Sequence, residues 1–142
     1  MDNTDIWKIF GHIGKLHFLR NQRQLDELGL YPGQPPLLTL LLKKDGQSQR
    51  EIAKLLMIKP ATVNVMIKRM EKSGFLRKEQ DVQDLRISRI FITDEGKDLA
   101  KKLCEIHKEG TDEYLRNFTE EEKEELYNLL CKIRDNIIKY TK

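Results

Sequence analysis

The chain has 142 residues, 39% of them apolar and 35% charged, with a formal net charge of +3. That length suits one domain, and charge at this density needs long solvated faces rather than a bilayer, for no stretch approaches the ~18 unbroken apolar residues of a membrane span. The opening MDNTDIWKIFGHIGK places Asp2 and Asp5 where a secretory signal would be basic, and it lacks a sustained apolar run, so a cytoplasmic protein without a membrane partner is expected.

From about Thr4 to Leu28 the residues Ile6, Ile9, Phe10, Ile13 and Leu16 recur at helical spacing, and Gly29 follows as a stop, which predicts a long N-terminal helix. The segment YPGQPP interrupts that pattern. LLTLLLKK then predicts a largely buried second helix ending at Asp45-Gly46, because a first helical turn tolerates proline. Ser48 with Glu51 three positions on forms a capping box for a third helix whose inward face is Ile52, Ala53, Leu55 and Leu56. Pro60 suits a first helical position, and Val63, Met66, Ile67 and Met70 carry a fourth helix of about thirteen residues to a left-handed stop at Gly74. Phe75–Glu79 and Ile87–Ile92 have strand character around the polar turn DVQD, which predicts a two-stranded hairpin. Thr93 caps a helix reaching about Arg116, with Gly110 as a candidate kink. Thr119 and Glu122 open a last helix with the stripe Leu126, Leu130, Ile133 and Ile137.

Two short helices joined through Met57–Pro60 and followed at once by a hairpin describe a winged helix-turn-helix, within a fold that is mainly α with a small β-hairpin (α+β). A helix entering the major groove needs small or hydrogen-bonding residues outward and apolar ones inward. Ala61, Thr62, Asn64, Val65, Lys68 and Arg69 lie opposite the apolar stripe and meet that need. Asn64 can pair with adenine, Thr62 can bond a base edge or a phosphate, and Lys68 and Arg69 can neutralise phosphates or reach guanine. Ser48 and Gln49 at the start of the third helix, and Lys59 in the turn, join the candidate DNA contacts. On the hairpin, Arg77 and Lys78 precede the turn and Arg86 stands near its tip, with Asp84 two positions earlier able to orient the guanidinium toward a minor groove. Charge agrees with this reading. From Lys43 to Arg89 there are twelve Lys or Arg against six Asp or Glu, which leaves 14 against 17 elsewhere, the asymmetry of a chain whose middle meets a polyanion.

The stretch GQSQREIAKLLMIKPATVNVMIKRMEKSGFLRKEQDVQDLRISRIFITDEG, with Asp84-x-Arg86 followed by Ile92-Thr93 and Gly96, resembles the DNA-binding core of the MarR (multiple-antibiotic-resistance regulator) family. The resemblance extends to a long N-terminal helix and two C-terminal helices. It implies a single MarR-like domain over 1–142, with a DNA-binding lobe at 33–93 and dimerisation helices at 1–30 and 94–142. It also implies a homodimer on double-stranded DNA at a pseudo-palindromic operator, repression, and a small aromatic or lipophilic effector. Hydroperoxide-sensing members use a cysteine in the N-terminal helix, which this chain lacks. Zinc-sensing members use a clustered His-rich site, whereas the histidines here are His12, His17 and His107.

His12, His17 and Tyr31 are candidates to line an effector pocket, beside the plainer reading, shared with Trp7, that they pack or lie on the surface. Ile6, Ile9, Leu126, Leu130, Ile133 and Ile137 are candidate dimer residues, since one small lobe leaves such stripes little to cover. Cys104 and Cys131 stand 27 positions apart without zinc spacing, and Cys104 with His107 one turn on is read as a helix–helix contact, so no metal or cofactor is expected. Neither a Gly-rich phosphate loop, nor a nucleophile elbow, nor an HExxH helix points to an enzyme. The alternative is a winged-helix protein-interaction module that does not read DNA. Such a module has no need of Lys68, Arg69, Lys78 and Arg86 on its outer face.

Overall fold

A computed structural model describes residues 1–141. They form α1 (Asn3–Glu27), α2 (Gln34–Lys43), β1 (Gln47–Ser48), α3 (Gln49–Leu56), α4 (Pro60–Lys72), β2 (Leu76–Gln80), β3 (Ser88–Ile92), α5 (Asp94–Tyr114) and α6 (Glu120–Tyr140). Two compact units divide the chain, residues 1–103 and 104–142. Among the described residues no helix is long and apolar enough to cross a membrane.

Within the first unit α1 begins at an Asp2 capping box with Asp5, and α2 carries its prolines in the first turn after Gly33. Burying Leu37, Leu38 and Leu41 of α2 against Ile52, Ala53, Val63, Met66, Ile67 and Met70 of α3 and α4 makes one core with Leu76, Ile90, Ile92, Leu99 and Leu103. Each fully buried aliphatic side chain contributes about 1.5–3 kcal/mol relative to exposure, and the helix pair stands on that base.

The two-stranded hairpin expected from the sequence is instead a three-stranded antiparallel sheet of order β1-β3-β2. Gln47 and Ser48 pair with Ile90 and Arg89, and the Asp45 carboxylate accepts from the Ile92 N–H at 2.9 Å. A two-residue strand has no period of its own. It exists because the chain leaving α2 lies along the free edge of β3.

The exit of α4 interlocks with the entry of α5. Gly74, at φ 81°, turns the chain so that the Phe75 N–H reaches the Met70 carbonyl at 2.9 Å, the left-handed helix ending that glycine permits. Thr93 then returns to this point. Its hydroxyl donates to the Gly74 carbonyl at 2.6 Å and accepts from the Gly96 N–H at 3.1 Å, which caps α5. In the second unit a Thr119–Glu122 capping box opens α6, none of whose residues is buried in the single chain.

Candidate nucleic-acid interface

The helix pair is set by its turn. α3 ends on Met57 in the left-handed conformation at φ 52°, and the Ile58 N–H closes back on the Ala53 carbonyl at 3.1 Å. Lys59 and Pro60 then start α4 in a new direction. Because Val63, Met66, Ile67 and Met70 are buried, helical geometry leaves Ala61, Thr62, Val65, Lys68 and Arg69 exposed on the other side, with Lys59 at the entrance. No side chain caps the first turn of α4, so its leading N–H groups remain for solvent or an anion.

Asn64 is half-buried rather than fully outward. The Gln49 Nε2 donates to its Oδ1 at 3.4 Å, which ties the start of α3 to α4. Ser48 is half-buried too, and its hydroxyl accepts from the Glu51 N–H at 3.1 Å while Glu51 Oε2 accepts from the Ser48 N–H at 2.7 Å. That backbone donor is the main cause holding the Glu51 carboxyl below its ordinary range. Arg69 lies over the Tyr31 ring, its guanidinium carbon 4.8 Å from the centroid.

The wing is a ribbon whose tip is closed by two carboxylates. Asp84 accepts from the Arg86 backbone N–H and from Nε and Nη2 of its guanidinium, all at 3.0 Å, while the Arg86 side chain is 89% exposed. This fork holds the Asp84 carboxyl below its ordinary range and leaves the arginine projecting from the tip, with its remaining donors outward. Asp81 accepts from Arg89 Nε and from the N–H groups of Gln83, at 2.8 Å, and Asp84, at 3.1 Å. Arg89 also donates to the Gly46 carbonyl at 3.1 Å and lies 3.7 Å from Glu51, so one side chain joins the wing, the β1 edge and the capping box.

Chiefly because Arg89 donates to it, the Asp81 carboxyl falls from 3.8 to about 2. A carboxyl whose folded value lies below its unfolded one stabilises the fold above the unfolded value, and that contribution is lost as pH falls through the folded value. The closed wing tip is therefore expected to persist from pH 7 through pH 4 and to open as pH drops toward about 2. The amide proton resonances of Gln83 and Asp84 report this, and Asp81→Ala, which removes the acceptor, should open the tip at neutral pH. Unchanged resonances in that variant would show that the carboxylate does not close the turn.

Comparison with known proteins identifies the arrangement. The MarR family profile matches residues 30–88. Over 134 residues the chain is 30% identical to the Bacillus subtilis (strain 168) protein named Uncharacterized HTH-type transcriptional regulator YybA, spanning 94% of this chain and 89% of that one. The chain belongs to the MarR family. The crystal structure of the transcriptional regulator SlyA superposes with a TM-score of 0.83 at 27% identity, covering 94% of each chain. A MarR family transcriptional regulator from Listeria monocytogenes, solved with a 26-mer DNA, superposes with a TM-score of 0.83 at 26% identity, covering 96% of this chain and 90% of that one. As a MarR family member the chain is a winged helix-turn-helix transcriptional regulator and not an enzyme.

On this MarR scaffold several residues stand elsewhere than the sequence suggested. Leu55, read as inward, is exposed, and Leu56 is half-buried, because the short α3 offers the core only Ile52 and Ala53 fully. Lys78 is half-buried: it pairs with Ile90 and so shares the inner sheet face with Leu76, whereas Arg77 pairs with Phe91 on the outer face and lies 4.6 Å from that ring. His12 and His17 are both exposed on α1, five positions and hence about 140° apart around the helix. His17 contacts the Asn21 amide at 2.9 Å. Cys104 and His107, read as a helix–helix contact, are exposed in the single chain. Among the described residues no group of three or more His, Cys, Asp or Glu could hold a metal ion. Arg89 and Asp81 went unrecognised in the sequence, which shows them only as members of a charged run; Asp81 is eight positions from Arg89, and the Gly46 carbonyl that Arg89 also meets is 43 positions away from it.

Proposed function

We propose that this MarR protein binds double-stranded DNA sequence-specifically as a homodimer and so controls transcription from a pseudo-palindromic operator. The observation that carries the reading is the combination, on one lobe, of an exposed face on α4 and a guanidinium held out from the wing tip by Asp84. The DNA complex of the Listeria relative agrees with it. In this reading α4 lies in the major groove, where Thr62 and Asn64 meet base edges and Ala61 and Val65 offer small apolar contacts to thymine methyl groups. Ser48, Gln49, Lys59, Lys68 and Arg69 meet phosphates at the groove walls, and Arg86 reaches the adjacent minor groove. Lys78 contributes only through the end of its half-buried side chain. An interaction module that leaves DNA alone would not need these groups.

The homodimer follows from what single chains leave uncovered. Along α1, Ile6, Ile9, Phe10, Ile13 and Leu16 are exposed, and along α6 so are Leu129, Leu130, Ile133, Ile137 and Ile138, with Leu126 half-buried. Apolar stripes of this length on a monomer mark interaction surfaces. Sedimentation at micromolar concentration should give twice the chain mass, and Ile133→Asp with Ile137→Asp should shift it toward the single chain; a wild-type monomer would contradict the dimer.

Repression relieved by a small aromatic or lipophilic effector completes the proposal and rests on the family alone. Such an effector acts by binding one spacing of the two lobes more tightly than another. The decisive experiment for the function is selection of bound sites from random duplexes. It should enrich a two-fold symmetric site with half-sites about 10 bp apart, one helical turn, and recovery of no common sequence would refute sequence-specific binding.

A further inference from the structure

We propose that Tyr31 is a positioning residue for Arg69, holding its guanidinium on the flank of α4 so that it meets the DNA backbone already ordered. The inference rests on the DNA-binding reading and adds to it a residue outside the helix-turn-helix and the wing.

Tyr31 is itself fixed. Its N–H donates to Gln34 Oε1 at 3.0 Å, and its carbonyl accepts from the Gln34 N–H at 3.1 Å. Gln34 is buried, and on the other side the buried Leu30 closes back on the Leu25 carbonyl at 2.9 Å. The segment joining α1 to α2 is thus a short reciprocal turn, and it presents the ring to α4. Arg69 shares a stripe of that helix with Thr62 and Val65, seven and four positions back, and its guanidinium carbon is 4.8 Å from the ring centroid, within the range of about 6 Å for cation–π contact.

What this does for DNA follows from the partner's chemistry. Asp84 holds Arg86 with a carboxylate, which offsets part of its charge. A phenol ring holds a cation through its face and offsets none, so the positive charge of Arg69 stays available to a polyanion. A guanidinium held over a ring keeps N–H donors on its edge for phosphate oxygens. A long arginine otherwise loses rotamer freedom on binding, and a residue that orders it beforehand removes that cost from the association step.

The test uses the full-length protein and a duplex selected by the wild type, with thermal unfolding showing that each variant keeps its fold. Tyr31→Leu should weaken binding about three- to ten-fold on all sequences alike, Tyr31→Phe should stay within about two-fold of wild type because the ring face is kept, and Tyr31→Leu added to Arg69→Ala should cost nothing further. In the free protein the Arg69 side-chain Nε–Hε resonance should show an upfield ring-current shift that Tyr31→Phe retains and Tyr31→Leu loses. Full affinity in Tyr31→Leu, losses that add to those of Arg69→Ala, or an Arg69 resonance without the shift would each overturn the role. A wild type that binds no duplex while the shift is present would instead sink the DNA-binding reading, and the role with it, but leave the contact standing.

Discussion

Gly96→Ala is expected to destabilise the first unit by about 3 kcal/mol or more, through forced overpacking against backbone. A Cβ at this position would meet the Phe75 carbonyl oxygen at 2.2 Å and Ile92 Cγ1 at 2.8 Å. The oxygen cannot step aside cheaply, because Phe75 is pinned at both ends: its N–H closes α4 on Met70 and its carbonyl accepts from the Thr93 N–H at 3.1 Å. Intrinsic propensity alone would favour alanine in a helix by roughly 1 kcal/mol, so the sign of the effect separates packing from propensity. Gly110→Ala, farther along α5 where a Cβ would meet nothing within 4 Å in this chain, serves as the control and should be neutral or stabilising. Urea unfolding followed by circular dichroism measures both; a Gly96→Ala midpoint equal to wild type would mean that the α4 exit and the α5 entry are not locked together.

The second large effect lies on DNA and divides between two residues. Asn64→Ala should cost on the order of 1–3 kcal/mol per half-site on the preferred operator and much less on unrelated duplexes, because a side-chain bond to a base edge exists only on the right sequence. Its hydrogen bond with Gln49 helps orient the amide before DNA arrives, so Gln49→Ala should show the same pattern more weakly, added to the small sequence-independent loss of its own phosphate contact. Arg86→Ala should weaken binding to nearly every duplex, more at narrow A·T-rich minor grooves, and lower the salt slope by about one unit per arginine. The Asp84 fork leaves the guanidinium mostly exposed and so within reach of any duplex, which is why the loss should be broad. Lys68→Ala is the reference for a simple phosphate contact. Should Arg86→Ala leave affinity and slope at wild-type values, the wing does not touch DNA.

How much of this could be read from the chain follows the reach of each interaction. The capping boxes at Ser48–Glu51 and Thr119–Glu122 span three residues and were legible at once, as were Pro60 at the start of α4 and Gly74 at its end. The Asp84–Arg86 fork is equally local. β1 was not legible, because two residues carry no alternation and their pairing with Arg89 and Ile90 spans some forty positions. The same distance hid Arg89, whose partners Asp81, Gly46 and Glu51 come from three separate segments. Lys78 was misjudged for want of register: once Lys78 is paired with Ile90 its inner face is fixed, but nothing in LRKEQ states that pairing. Leu55 illustrates the opposite error, in which an apolar residue in an eight-residue helix was assigned to a core with no room for it.

The proposed function requires the α4 face and the wing of this MarR protein to read duplex DNA together. Affinity of the wild type for its selected duplex and for a scrambled duplex of equal length, each measured across a range of salt concentrations, tests that most directly. A log–log fall with salt of several units is expected for both duplexes, from neutralised phosphates, with a preference for the selected site of about a thousand-fold or more. Equal affinity for the two duplexes at every salt concentration, or a slope near zero, would contradict it.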